Sequence, residues 1–272
     1  MAKGAIQIGA LKALCEFIPL EEIKYISCAS VGVLNGYAYA TENLRQAEQM
    51  WKNVCNNNAR YVISQVLRSS MLQQNITDLY DGEKQLSSAF YCSLLDFCHR
   101  SIVYKDLSAV SSDKIPLYLK ASVAMPIYNH SVALDNTSYF DGAMIDNIPI
   151  YPLLKYNLDY VICIYFDDVC YKFENEYFDN KIIKITFPCR STVKQSIVFS
   201  QKSIEDMIND GYDRTAYILK NILSEGYENL KYIYRAIDFM NRNNKNNRPR
   251  ITGDVLVTNL NRITKKLTKK IL

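Results

Sequence analysis

Histidine is almost missing: His99 and His130 are the only two in 272 residues. Any mechanism that needs an imidazole base has just these candidates. His130 lies in IYNHS with no adjacent acid, and both read most simply as surface or satisfied core residues. Nine glycines and seven prolines are too few for a collagen-like or low-complexity chain. No apolar run reaches the roughly eighteen residues of a membrane-spanning helix. The opening MAKGAIQIGA is not followed by the apolar run and small-residue cleavage site of a secretory leader. The eight cysteines include no C-x-x-C pair, which removes the usual zinc and dithiol signatures. Several sit inside apolar runs, so they read as small buried hydrophobes in a reducing compartment. The expected location is cytoplasmic, with secretion lacking a cleaved signal as the alternative.

What is present points to one large domain with an appendage. The hydrophobic content of 49% supplies a substantial core. The net charge of +4 is unevenly spread. NRNNKNNRPR (241–250) and RITKKLTKKIL (262–272) are basic without a single acid, and the rest of the chain is mildly acidic. Attraction to anions is therefore expected at the C-terminal end, not on a core surface shaped for nucleic acid, and no nucleic-acid partner is expected.

Apolar periodicity predicts a helix over 4–17, ended by Pro19, and then a strand in IKYISCA. Helices follow in VGVLNGYAYA and ENLRQAEQMWKNV, with the asparagine cluster at 56–59 as a breaker. Residues 60–88 read as mainly helical, with a turn at Asp81 and Gly82. AFYCSLLDFC reads as a strand, 113–122 as a helix, and Asp135-Asn136 as a hairpin turn. DYVICIYF and KIIKITFP are buried-type strands, followed by helices at 196–209, 213–224 and 228–240. Strands interleaved with helices predict an α/β architecture, a largely parallel sheet between helical layers. Its functional groups should lie at the carboxyl ends of the strands.

Ser30 falls at such an end, in SCASVGVLNG. A serine on a sharp strand-to-helix turn is exposed for attack, and the first amides of the following helix favour developing negative charge. Such an elbow needs small residues two before and two after the serine. Gly32 meets this need and Cys28 meets it in part. An ordinary loop or cap serine is the competing reading. Asp141, followed by Gly142 at the end of a short strand in YFDGAMIDNIPI, can accept a serine proton directly. Its competing reading is a turn cap.

Three blocks, KGAIQIGALKAL, CASVGVLNG, and KASVAMPIY with YFDGAMIDNIPI, together resemble the patatin-like phospholipases and related acyl hydrolases. The resemblance implies a three-layer α/β/α fold with a central, mostly parallel sheet and a serine–aspartate dyad, Ser30 the nucleophile and Asp141 the base. It spans about residues 1–215. The D-G-A turn is Asp141, Gly142 and Ala143; the N-x-P is Asn147, Ile148 and Pro149; the A-S-x-A-x-P is Ala121, Ser122, Ala124 and Pro126. Two departures stand out. Cys28 replaces the first glycine of G-x-S-x-G. Of the glycine-rich oxyanion loop only Lys3 and Gly4 match, with Met1 where the third glycine belongs.

The implied organisation is an N-terminally incomplete catalytic domain over 1–225 and a helical, basic extension over 226–272. Either the chain is a truncated form of a longer enzyme, or it is a degenerate one. An unfilled sheet position would also expose backbone groups open to self-association. The implied chemistry is hydrolysis of phospholipid, lysophospholipid or other acyl esters, with oxyanion donors drawn from Val31, Gly4 and Lys3 and no metal or organic cofactor. A catalytically silent binding or scaffold protein is the alternative. In the C-terminal segment Ile263, Leu267 and Ile271 form an apolar stripe beside four lysines. It reads either as a packed surface helix or as a peripheral contact with anionic membrane, with 241–250 as a flexible tether.

Overall fold

A computed structural model describes residues 4–53, 61–62, 76–80, 82, 84–126, 129–167, 169–187, 198–199, 201–244 and 246–251. The breaker at 56–59, Asp81, Lys3 and the stripe Ile263, Leu267 and Ile271 lie outside these residues.

The helices are α1 (Gly4–Phe17), α2 (Val31–Ala40), α3 (Leu44–Asn53), α4 (Ile115–Ala121), α5 (Glu176–Asp179), α6 (Gln201–Ile222) and α7 (Leu230–Asn243). The strands are β1 (Tyr25–Cys28), β2 (Tyr61–Val62), β3 (Ala89–Asp96), β4 (Ser101–Asp106), β5 (Val132–Leu134), β6 (Thr137–Asp141), β7 (Val161–Tyr165), β8 (Cys170–Phe173), β9 (Ile182–Thr186), β10 (Val198–Phe199) and β11 (Asn247–Arg250). The arrangement is α/β/α with a central sheet of mixed strand direction. β1 runs parallel to β3, while β4 and β6 flank β3 antiparallel and β5 pairs with β6. β7 and β9 form a parallel pair. Among the described residues β1 is paired only on its β3 side and β7 only with β9.

Strand alternation divides the core. Phe90, Cys92 and Leu94 of β3 join the main apolar cluster with α1, α2, α3 and α4. Tyr91, between them, joins a second cluster on the opposite face with Ile148, Ile150, Leu153, Phe173 and Phe178. A third cluster joins α1 and β9 to α6 and α7, with Ile233 and Ile237 of α7 buried in it.

Several elements differ from the sequence expectation. Residues 61–62 are a strand paired with β10, not part of a helix. The expected pair of helices 196–209 and 213–224 is one helix, α6, running unbroken through Gly211. A Cβ at Gly211 would stand 2.0 Å from the Ile6 carbonyl oxygen, so the glycine marks where α1 crosses α6, not a break. The supposed tether 241–250 is the end of α7 followed by β11, which pairs parallel to β8. The hairpin turn is present, with both Asp135 and Asn136 at positive φ, 51° and 63°. Cys92, Cys163 and Cys170 are buried and Cys28 half-buried, whereas Cys15 and Cys98 are exposed.

Candidate active site

Ser30 stands between β1 and α2 with φ 55° and ψ −137°, a combination that a residue with a Cβ rarely adopts. The turn is closed by Gly32 N–H donating to the Ala29 carbonyl at 3.0 Å and Val33 N–H to the Ser30 carbonyl at 2.9 Å. The helix behind it, VGVLNGYAYA, is apolar nearly all round and buried along its whole length, which leaves the turn little freedom to relax.

Its one strongly polar side chain, Asn35, is fully satisfied. The Asn35 amide donates to the Gly4 carbonyl at 2.9 Å and to Gln7 Oε1 at 3.0 Å, and Trp51 Nε1 donates to Asn35 Oδ1 at 2.9 Å. This network fixes the first turn of α1 to the helix that follows Ser30. A lone asparagine in an apolar helix is a sequence signal that could have revealed it, because a buried amide must find partners.

Cys28 finds its room in a place other than the one anticipated. The tight contact is with Gly36, one turn beyond Gly32: a Cβ on Gly36 would lie 2.6 Å from the Cys28 sulfur. A Cβ on Gly32 would instead approach the Gln7 amide at 3.3 Å. Burial pushes the Cys28 thiol up to about 12, so it stays neutral and acts as a packing group.

Asp141 ends β6, opposite Leu94 of β3. Its backbone is ordinary, φ −57° and ψ 120°. Its N–H donates to the Ala124 carbonyl at 2.8 Å, which ties two of the sequence blocks together. Ala143 N–H donates to its Oδ1 at 2.9 Å, so the turn-cap role is also real. The Ser30 side chain lies near enough to this carboxylate to lower its pKa. Burial raises the Asp141 carboxyl to about 6, and Ser30 and the bond from Ala143 oppose but do not cancel that rise. Gly142 packs on backbone: a Cβ there would be 2.5 Å from the Ser93 carbonyl carbon.

The next residues cross to the other face of the sheet. Asp146 N–H donates to the Gly142 carbonyl at 2.9 Å, and the Asp146 carboxylate is completely buried. It accepts from Tyr104 Oη at 2.8 Å, from Ile148 N–H at 3.2 Å and from the Arg250 guanidinium at 3.2 Å. Sequence reasoning missed Asp146 and Arg250 as partners, and no local pattern links residues 104 positions apart.

The Ser30 side chain lies near the Asp141 carboxylate, Cys28 packs against Gly36, Gly32 faces the Gln7 amide, and Gly142 lies on the Ser93–Leu94 backbone. Gly4 opens α1, where the first amides of a helix lack intrahelical acceptors. Neither histidine joins this group. His99 Nδ1 pairs with Asp96 Oδ2 at 2.8 Å just past the C-terminal end of β3, and His130 lies in an exposed loop. Among the described residues no group of three His, Cys, Asp or Glu could hold a metal ion. No helix among them is long and apolar enough to cross a membrane.

A family model described as patatin-like phospholipase matches residues 1–154, a span that includes Ser30 and Asp141. No curated protein matches the chain.

Proposed function

The chain belongs to the patatin-like phospholipase family, and from that premise we propose that it is a lipid acyl hydrolase with Ser30 as nucleophile and Asp141 as general base. One observation carries the reading. A serine held at φ 55° on a strand-to-helix turn lies close enough to a buried aspartate to affect its carboxyl, which burial raises to about 6. A base in that range is mostly ionised at neutral pH yet still receives a proton readily.

In the proposed reaction Ser30 Oγ attacks the acyl carbonyl carbon as its proton passes to the Asp141 carboxylate. The carbonyl oxygen gains negative charge and faces amide donors, for which Val31 and Gly4, at the first positions of α2 and α1, are the candidates. Collapse of the tetrahedral species breaks the ester C–O bond, and Asp141 returns the proton to the leaving alcohol. Water, deprotonated by the same carboxylate, then frees the fatty acid and restores Ser30. Phospholipid, lysophospholipid and simple acyl esters are the substrate class. The basic end of the chain, 252–272, is proposed to hold the enzyme on anionic lipid.

Labelling with a fluorophosphonate probe, followed by mapping of the modified peptide, tests the assignment. Modification at Ser30 that disappears in Ser30→Ala and falls steeply in Asp141→Asn supports it. Unlabelled wild type, with no release of fatty acid from a lysophospholipid, would leave a silent binding protein instead. Removal of 252–272 should weaken binding to phosphatidylserine vesicles while leaving turnover of a short soluble ester near the wild-type level. Vesicle binding unchanged by that deletion would remove the membrane role.

A further inference from the structure

The turn that carries Asp141 is held from outside the stretch matched by the family model. β11, nearly a hundred residues beyond that stretch, pairs Asn247↔Cys170 through Arg250↔Phe173 with β8. This register sets Arg250 at the end of the strand, where it leaves its exposed neighbours and turns inward. Its guanidinium donates to Asp146 Oδ1 at 3.2 Å and to Asn147 Oδ1 at 2.6 Å, and it stacks over the Tyr171 ring at 4.9 Å. Arg250 is thus bonded to two successive residues of the turn that begins at Asp141.

The geometry points to Arg250 as a positioning residue that sets Asp141 against Ser30 through Asp146. This inference rests on the reading of Asp141 as the base. The path is short and continuous. Asp146 closes the turn through its N–H to the Gly142 carbonyl, and its own carbonyl accepts from Ser93 Oγ at 3.5 Å. Gly142 lies directly on the Ser93–Leu94 backbone, and Leu94 is the register partner of Asp141. A shift of Asp146 therefore displaces the Gly142 carbonyl and, through it, the backbone that aims the Asp141 carboxylate.

The Asp146 carboxylate has no exposed surface, and burial raises its carboxyl against the lowering effects of Tyr104 and Arg250. Without the guanidinium the anion at this point is poorly compensated, and the segment gains by moving toward water. The Tyr104 hydroxyl alone does not replace a cation. Both bonds come from Arg250 Nη2, whose two hydrogens reach two acceptors at once and so fix its direction as well as its distance.

The test compares Arg250→Met and Arg250→Lys with Arg248→Met, an exposed residue on the same strand. Two readouts are followed: the maximal rate and half-saturating concentration of fluorophosphonate modification of Ser30, and amide hydrogen exchange at Ala143 and Asp146. In Arg250→Met the maximal rate should fall about tenfold with little change in the half-saturating concentration, since misplacement of a catalytic group slows the chemical step more than binding. The Ala143 and Asp146 amides should exchange about tenfold faster while those of β1 and β3 keep their protection. Arg250→Lys should recover part of both, and Arg248→Met should match the wild type.

If Arg250→Met does not fold, Asp146→Asn/Arg250→Met removes the uncompensated charge. Its maximal rate should still lie about fivefold below the wild type, because nothing then ties the turn to β11. Wild-type modification rate and wild-type protection of the turn amides in whichever variant folds would overturn the proposal. A wild-type protein that is not modified at Ser30 would fail the reading of the dyad instead, and the exchange data would still decide whether Arg250 holds the turn.

Discussion

The two turns that meet at the site are built in opposite ways. The Ser30 turn is strained and locally secured: its residue sits at φ 55°, and both bonds that close it span three residues. The Asp141 turn has relaxed dihedrals, yet its shape depends on Ser93, Tyr104, Ala124 and Arg250 from four separate parts of the chain. A buried helix can hold backbone strain, because relaxing the turn would disturb ten packed residues. A buried carboxylate needs something else, partners that aim it without neutralising it. Ser30 is therefore placed by local conformation and Asp141 by remote tethering.

Asp141→Asn should break the chemistry most completely. Turnover of a short ester is expected to fall about a thousandfold, as for loss of a base that also orients the nucleophile. The same change should stabilise the fold at pH 8. The Asp141 carboxyl is raised to about 6 in the native state, so the native protein binds its proton more tightly than the unfolded chain does. This group's contribution therefore favours folding at low pH and weakens as pH rises through about 4 to 6, an effect of up to about 3 kcal/mol. An amide at this position removes that loss. Urea unfolding at pH 8 and pH 5 checks it: a gain at pH 8 that shrinks at pH 5 is the expected result, and a loss of stability at pH 8 would contradict it.

Gly142→Ala attacks the tethered turn through its backbone. A Cβ 2.5 Å from the Ser93 carbonyl carbon cannot be relieved by a rotamer change, so a loss of about 3 kcal/mol is expected in urea unfolding. A near-neutral result would mean that this turn moves freely, and the contrast with the Ser30 turn would vanish.

The pH profile of ester turnover should show the opposite slope from the stability effect. In the proposed reaction the ionised carboxylate is the working form, so activity should rise with pH and reach half its plateau near pH 6. A midpoint near 4 would mean that Asp141 does not limit the reaction. Replacing His99 and His130 together should leave the plateau within about twofold, since His99 pairs with Asp96 and not with the dyad.

Ser30→Gly sharpens the comparison with the smallest expected effect. Glycine takes φ 55° without strain, and the relief of about 1–3 kcal/mol outweighs the greater entropy that glycine adds to the unfolded chain. A net gain of about 1 kcal/mol in thermal or urea unfolding is expected, together with complete loss of turnover. A destabilised Ser30→Gly would mean that the serine side chain contributes more to the fold than its backbone conformation costs.

The elements around the serine were legible because their signals are local. An apolar strand, a small-residue turn and a helix apolar on every side follow one another within twenty residues, and β1, Ser30 and α2 fall where the pattern puts them. The hairpin before Asp141 was equally readable from Asp135-Asn136. The misreadings share a different cause. Gly211 and the asparagine-rich 241–250 carry the composition of breakers and linkers, but α1 packs against one and β8 pairs with the other. Local composition reports what a segment does alone, and these two segments are shaped by their neighbours.

The sequence by itself determined the family blocks, the alternation of strands and helices, and the pair of residue types, a turn serine and a turn aspartate, on which a histidine-poor hydrolase can operate. Tertiary structure alone decided the rest. It buried Asp141 enough to raise its carboxyl, made Gly36 the neighbour that accommodates the Cys28 sulfur, and brought Arg250 to Asp146 across 104 residues. The physical reason is that desolvation, steric fit and ion pairing depend on which groups are near in space. Hydrophobic periodicity and turn chemistry depend only on which are near along the chain.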